Sequence, residues 1–176
     1  MLFRSVSQSR YQTQSTDTLK KISDSNKITL AYHESSVPFN YLTSPNKPVN
    51  MSIEISEAIA AEVKKTLNKP NLEIAWQAVT SQNRIPLLTN GTINLECNST
   101  TNNSTRGKKI QFTINYFYTN THLLTKKNSN IKNYTDLKNK TISTTTDTTN
   151  FQILHKYNQN KYLPIVTGKQ IGRAHV

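Results

Sequence analysis

The chain has 176 residues, a formal net charge of +12 and a hydrophobic fraction of 34%. This length suits one domain, or one and a half lobes of a larger protein, and it is sufficient for a hydrophobic core. The basic charge indicates either a solvated lysine-rich surface or attraction of an anionic partner. Lysine pairs without a recognisable motif argue against a nucleic-acid-binding module, and the lone Cys97 excludes an internal disulfide.

A polar arm, a helix and a strand are predicted first. Residues 1–15 are polar and lack periodicity, which predicts a flexible N-terminal arm. Thr16 or Asp17 then caps a short helix. The run KITLAY at residues 27–32 predicts the first strand, and the polar sequence HESS follows it at residues 33–36. In α/β folds, loops at the carboxyl ends of strands present ligand-binding groups.

A turn, a long helix and a second strand follow. Residues 44–48, SPNKP, have the composition of a turn. The apolar positions of residues 51–67 recur at helical spacing, and Ser52 is the candidate N-cap. Residues 72–79 alternate apolar and polar side chains, which predicts a strand. We interpret Trp76 as part of the sheet core rather than as a ligand platform.

Two short elements and a long strand are predicted next. Residues 81–88 predict a helix that Asn90 and Gly91 end. The apolar residues 93–97 predict a buried strand. The segment FTINYFYTNTHLLT, at residues 112–125, is rich in aromatic and β-branched side chains. Its length suits a strand that crosses between two lobes.

The last part of the chain alternates between helices and strands. Helices are predicted at residues 134–138 and 148–157, and strands at residues 141–146 and 163–167. We interpret Asp147 as the N-cap of the second helix. This alternation, with that of the preceding elements, predicts an α/β fold with largely parallel sheets.

Two arginines lie among short hydroxyl side chains between residues 80 and 106. Arg84 opens one predicted helix, and Arg106 follows the next polar loop. Guanidinium groups bind carboxylates through paired hydrogen bonds, and helix N-termini add N–H donors. The stretch is therefore suited to a small dianion or an amino dicarboxylate. The neighbouring hydroxyl groups belong to Ser81, Ser99, Thr100 and Thr101.

The sequences TSQNRIPLL at residues 80–88 and ECNSTTNN at residues 96–103, together with HESSVPF and LLTKK, resemble the glutamate/aspartate periplasmic substrate-binding proteins of ABC transporters. The resemblance implies a periplasmic-binding-protein type II fold, in which two α/β lobes are joined by crossing strands, with an incomplete second lobe in this chain. It also implies a bacterial periplasmic protein that binds L-glutamate or L-aspartate in the interlobe cleft and delivers it to an inner-membrane permease.

The resemblance carries residue roles onto this chain. Ser81 and Arg84 match residues that hold the ligand's side-chain carboxylate, and Arg106 matches the arginine that clamps the α-carboxylate. Thr149 would add its hydroxyl and a helix N-terminal N–H to the same carboxylate. His33 stands where the family usually has an arginine that reaches the ligand side chain. The predicted ligand-binding residues are His33, Ser81, Arg84, Ser99, Thr100, Thr101, Arg106, Thr148 and Thr149.

The predicted organisation combines this resemblance with the composition. Residues 1–15 are the arm, residues 16–113 are lobe 1, and residues 114–170 are a partial lobe 2. Residues 171–176, IGRAHV, match the translation of a common sequencing-adapter read and are expected to be a non-native tail. MLFRSV is too short for a secretory apolar region, so we expect a signal peptide to be missing. The family's acidic partner for the ligand α-ammonium lies beyond the last residue of this chain.

Functions from other classes have weaker support. An enzyme on the same bilobal fold, such as a dehydratase, would need an acid or base in the cleft, and Glu34 and Asp147 are the candidates. No nucleophile–base–orienter set is visible, and neither His122 nor His155 has a partner at metal-ligand spacing. We therefore predict a monomeric binding protein with no catalytic residue, no metal, no cofactor and no nucleic-acid partner.

Overall fold

The computed structural model describes residues 12–45, 47–158 and 165–168. The chain forms two compact units, which are named here unit 1 (Met1–Val79 with Leu87–Ser99) and unit 2 (Thr80–Pro86 with Thr100–Val176). The sequence-based lobe boundary at residue 113 stays a prediction. The expected tail at residues 171–176 and most of the expected arm lie outside the described residues. No helix of the described residues is long and apolar enough to cross a membrane.

Unit 1 contains a parallel sheet with helices packed against it. Its elements, in chain order, are α1 (Gln12–Ser25), β1 (Lys27–Tyr32), β2 (Ser35–Ser36), β3 (Asn40–Ser44), β4 (Lys47–Val49), α2 (Met51–Thr66), β5 (Glu73–Ala78), the part of α3 from Leu87 onward and β6 (Leu95–Glu96). The whole of α3 spans Arg84–Thr89. The sheet has the order β5-β1-β6, and both neighbours run parallel to β1. The predicted α/β class with parallel sheets is confirmed.

Strand β1 is buried on both faces. Successive side chains of a strand point to opposite faces, so Leu30 and Ala31 enter different clusters. One cluster joins Leu30 to Ile22 of α1 and Ala60 of α2, and Trp76 packs against it as predicted. The other joins Ala31 to Val79 and Ile93, with side chains of α3 packed beside them. The buried positions of β1 are therefore apolar on both faces, since a central parallel strand is covered on each side, and only Lys27 at its start is exposed.

Strands β2, β3 and β4 form a separate antiparallel sheet after β1. The order is β2-β3-β4, with Tyr41 paired to Val49 and Ser35 paired to Tyr41. The predicted turn at residues 44–48 is wrong at its second half, because Pro48 lies in β4 opposite Leu42. Proline is accepted there because an edge strand leaves one row of N–H groups unpaired.

Unit 2 is built around a smaller core. Its elements are the start of α3, α4 (Ser104–Gly107), a 3-10 turn (Tyr134–Leu137), β7 (Ile142–Thr145), α5 (Thr149–Asn158) and β8 (Ile165–Gly168). Strands β7 and β8 pair in parallel. Leu137, Ile142 and Leu154 are buried together, and Leu123 packs against them. The helix predicted at residues 134–138 is a single 3-10 turn.

The long strand predicted at residues 112–125 is wrong for the described structure. No regular strand occupies these residues, and Ile114 and Leu124 are 90% and 100% exposed. A strand needs neighbours for its main-chain N–H and C=O groups. Among the described residues no strand pairs with this segment, so the aromatic and β-branched composition has no sheet to join.

Two helix starts also differ from the sequence predictions. Helix α1 begins at Gln12, before the expected cap at Thr16 or Asp17. Helix α2 begins after Asn50, which has φ 98° and makes no side-chain cap, while the expected cap Ser52 is fully buried inside the first turn. The Ser52 N–H instead donates to the Phe39 carbonyl at 3.0 Å. Tertiary contact with the loop before β3 therefore replaces side-chain capping.

Candidate functional site

The candidate carboxylate site of unit 2 begins with Arg106 on helix α4. The Asn103 side chain accepts a hydrogen bond from the Arg106 main-chain N–H at 2.9 Å and caps this short helix. The Arg106 guanidinium donates from Nη1 to the Thr101 carbonyl at 3.0 Å and from Nη2 to the Asp147 carbonyl at 3.1 Å. Arg106 is 9% exposed. Its charge is therefore held at a fixed position by two main-chain acceptors from different loops.

The second component is the N-terminus of α5. The Thr148 hydroxyl donates to the Thr145 carbonyl at 2.7 Å and accepts from the Phe151 N–H at 3.2 Å. Thr148 is therefore the N-cap, and the interpretation of Asp147 as the cap is wrong, because the helix starts two residues later. The first-turn N–H groups of Thr149 and Asn150 precede the helical ladder and carry the positive end of the helix dipole.

A hydroxyl pair joins the two loops. Thr101 Oγ1 and Thr149 Oγ1 are 3.1 Å apart. The structure therefore brings together three of the predicted ligand residues, Thr101, Arg106 and Thr149, with Thr148 directly beside them. A guanidinium, two hydroxyls and a helix N-terminus are together complementary to a carboxylate.

The predicted side-chain subsite lies in the residues 80–86 portion of unit 2. The Thr80 N–H donates to Asn83 Oδ1 at 2.7 Å, and the Asn83 N–H donates to Thr80 Oγ1 at 3.3 Å. This reciprocal pair closes the turn that contains Ser81 and places Arg84 at the first position of α3. Arg84 is 3% exposed and Ser81 is half-buried. The role of both residues in ligand binding stays a prediction.

His33 lies in unit 1 at the carboxyl end of β1. The main-chain N–H of His33 donates a hydrogen bond to Asn40 Oδ1 at 2.9 Å. Its Nε2 atom is 3.9 Å from Glu96 Oε1, and the two side chains are 4% and 3% exposed. Sequence reasoning missed Glu96 as a neighbour of His33. A charged residue inside the apolar run at residues 93–97 was the signal, because a buried carboxylate needs a partner.

Ser99 and Thr100 mark the passage from unit 1 to unit 2. Ser99 is exposed, and its hydroxyl is 3.2 Å from that of Ser36. The polar sequence after β1 and the one after β6 therefore meet, as expected for the carboxyl ends of neighbouring parallel strands. Thr100 is half-buried at the start of the loop to α4.

The cysteine beside Glu96 is not an activated nucleophile. Burial raises the pKa of the Cys97 thiol, the Ser56 hydroxyl partly offsets this by lowering that pKa, and the Glu96 charge raises it further. A thiol with a raised pKa carries little of the reactive thiolate at neutral pH. Within the described part of the chain, no group of three or more His, Cys, Asp and Glu side chains could hold a metal ion.

Comparison with known proteins identifies the family. The sequence profile of the bacterial extracellular solute-binding proteins, family 3, matches residues 28–163. The chain belongs to this family. An L-glutamate/L-aspartate-binding protein of Pseudomonas aeruginosa is 43% identical over 90% of this chain and 54% of its own length. A glutamate/aspartate import solute-binding protein of Salmonella typhimurium is 45% identical over 88% of this chain and 52% of its own length.

Solved structures agree on the fold. The ancestral amino acid-binding protein AncCDT-1, a precursor of cyclohexadienyl dehydratase, superposes with a TM-score of 0.72 at 21% identity, over 86% of this chain and 65% of that one. The solute receptor for L-cysteine of Neisseria gonorrhoeae superposes with a TM-score of 0.67 at 16% identity, over 87% of this chain and 60% of that one. The chain spans about half the length of the curated relatives it matches.

Proposed function

We propose that the complete protein binds L-glutamate or L-aspartate in the periplasm, as a monomer, and delivers it to the permease of an ABC importer. The two curated relatives described above are a glutamate/aspartate-binding protein and a glutamate/aspartate import protein, and the family match covers most of this chain. The observation that carries the proposal is the fixed Arg106 guanidinium beside the α5 N-terminus.

The proposed binding mode uses preorganised charge. Arg106 is oriented by the Thr101 and Asp147 carbonyls before a ligand arrives, so little side-chain entropy is lost when a carboxylate binds. The ligand α-carboxylate is placed against Arg106, Thr149 and the α5 N-terminus. Ser81 and Arg84 are proposed for the side-chain carboxylate. No bond of the ligand is made or broken, since transport requires its release unchanged.

The test is calorimetry on the complete product of the source gene with L-glutamate, L-aspartate and L-glutamine. We expect Arg106→Ala to lower the affinity for every amino acid by roughly 2–5 kcal/mol, because a desolvated charge-assisted contact is lost. Lys108→Ala is the matched control, since Lys108 is exposed and immediately follows α4. This control should leave the affinity unchanged.

Two outcomes would contradict the proposal. Affinity retained in Arg106→Ala would remove Arg106 from the site. No heat with any of the three amino acids, combined with turnover of a cyclohexadienyl acid, would favour the enzyme reading instead.

A further inference from the structure

A fully buried asparagine connects the carboxyl ends of β1 and β6. Asn40, the first residue of β3, is 0% exposed. Its Oδ1 atom accepts a hydrogen bond from the main-chain N–H of His33 at 2.9 Å, and its Nδ2 atom donates to the main-chain carbonyl of Cys97 at 3.4 Å. Because an amide oxygen only accepts and an amide nitrogen only donates, these two partners fix the orientation of the side chain.

The regular pairing of β1 with β6 stops just before this connection. The last paired residues of the two strands are Ala31 and Glu96. Main-chain N–H and C=O groups that are buried beyond the end of a ladder need other partners, since an unsatisfied buried group is costly. The Asn40 amide supplies a partner to one donor and one acceptor there. An apolar side chain at position 40 would satisfy neither, so the two segments that follow β1 and β6 would lose their fixed spacing.

The same asparagine is connected to the hydroxyl pair of Ser36 and Ser99. Ser36 is the partner of Asn40 in the pairing of β2 with β3, and the Phe39 N–H donates to the Ser36 carbonyl at 2.8 Å. Ser99 follows Cys97 by two residues, and its hydroxyl lies 3.2 Å from that of Ser36. Asn40 therefore anchors both members of the pair, one through strand pairing and the other through the Cys97 carbonyl.

Two hydroxyl groups at this distance present one directed hydrogen-bond donor. When one hydroxyl donates to the other, the accepting hydroxyl keeps its own hydrogen for an acceptor outside the pair. Ser99 is exposed, whereas Ser36 is half-buried, so Ser99 is the member that can meet a ligand oxygen. Each hydrogen bond in such a chain polarises the next one. A hydrogen bond from Ser36 therefore strengthens the Ser99 hydroxyl as a donor and fixes its direction.

We propose that Asn40 and Ser36 are positioning residues, which hold the Ser99 hydroxyl so that it donates to a carboxylate oxygen of the bound amino acid. The inference rests on the proposed function and on Ser99 as one of its ligand residues. Asn40 acts only through the segments that it connects, since its side chain is fully buried. A hydroxyl that is fixed before the ligand arrives loses less conformational entropy on binding than a mobile one.

The experiment is a pair of double-mutant cycles, measured by calorimetry with L-glutamate on the complete gene product. Asn40→Ala and Ser36→Ala are each combined with Ser99→Ala. Leu72→Ala is the control for a loss of stability alone. Leu72 is 2% exposed in the core of unit 1 and directly precedes β5, at the end of the parallel sheet opposite to the Asn40 connection. Thermal unfolding measures the stability of every variant.

We expect Asn40→Ala to weaken glutamate binding at least about fivefold and Ser36→Ala about threefold, which are the effects of losing one well-placed hydrogen bond. In the Ser99→Ala background each substitution should have less than about a twofold further effect, because the hydroxyl that it positions is already absent. Leu72→Ala should lower the melting temperature and leave the glutamate affinity unchanged in both backgrounds. A purely structural role of Asn40 would give the Leu72→Ala result.

Several outcomes would overturn the inference. These are unchanged glutamate affinity in Ser36→Ala, in Ser99→Ala or in folded Asn40→Ala, and fully additive effects in either cycle. If Asn40→Ala does not fold, the Ser36→Ala cycle decides, since that change leaves the buried amide in place. Failure of the unmodified protein to bind any amino acid would instead overturn the proposed function.

Discussion

Strand β1 of unit 1 and residues 112–125 of unit 2 both carry apolar, aromatic and β-branched side chains, but their environments are opposite. Leu30 in β1 is fully buried and lies between partner residues of β5 and β6. Leu124 is 100% exposed, and the segment around it has no regular strand. Strand propensity is mostly a measure of fit to a pleated, half-buried surface. Where no neighbouring strand is present, the same composition leaves an irregular, exposed chain.

This difference in burial also predicts a difference in local stability between the two regions. Strand β1 contributes side chains to two clusters, one on each face. Residues 112–125 contribute Leu123 to the small core of unit 2. Local unfolding free energy follows buried apolar contact, so substitutions in β1 should cost much more than substitutions in the exposed segment.

The largest expected effect comes from truncating the centre of β1. Leu30→Ala should lower the free energy of unfolding by about 3–5 kcal/mol, because a fully buried leucine leaves a cavity among α1, α2 and the sheet. Leu124→Ala, which makes the same chemical change at an exposed site, should change it by less than about 0.5 kcal/mol. Urea unfolding followed by the fluorescence of Trp76, which packs on this core, measures both. Equal costs at the two positions would refute the comparison.

A smaller effect is expected at the carboxyl end of β1. His33→Ala should lower the free energy of unfolding by about 2–3 kcal/mol, since it removes the imidazole whose Nε2 atom lies 3.9 Å from the buried Glu96 carboxylate. Adding Glu96→Gln should recover part of this cost, because the buried charge is then also removed. Asp24→Ala is the control. Its ion pair with Lys20 has side chains 64% and 72% exposed, so the change should stay below about 0.5 kcal/mol. A double variant with fully additive costs would contradict the pairing.

The smallest effect is a pH dependence in unit 2. The main-chain N–H groups of Lys132 and then Asn133 donate to the Asp136 carboxylate at 2.8 and 3.0 Å and lower its pKa below the ordinary value. A lowered folded-state pKa adds stability above the unfolded value of about 3.9, and this stability is lost as pH falls through the lower folded value. Carboxyl chemical shifts against pH should therefore give Asp136 a midpoint below about 3.9. A midpoint at or above that value would mean that these hydrogen bonds do not persist in solution.

Much of the fold follows from local sequence pattern. The run at residues 27–32 is β1, residues 51–66 are α2, and Asn90 and Gly91 follow the end of α3. These elements have strong periodicity or end signals, which depend on residues near in sequence. The antiparallel sheet of β2, β3 and β4 was not predicted, and β6 is shorter than the apolar run at residues 93–97. In both cases the extent of the strand depends on which other segment it pairs with, and a local sequence pattern does not contain that information.

The sequence by itself determined the family, the parallel α/β class and the arginine and hydroxyl residues of the candidate site, because these depend on motifs and periodicities of neighbouring residues. Tertiary structure decided which of those groups lie next to one another. Arg106 reaches the Asp147 carbonyl across 41 residues of sequence, and His33 lies beside Glu96 at the ends of adjacent strands. Such contacts depend on the distance and direction of atoms that only folding brings together, and no local pattern encodes them.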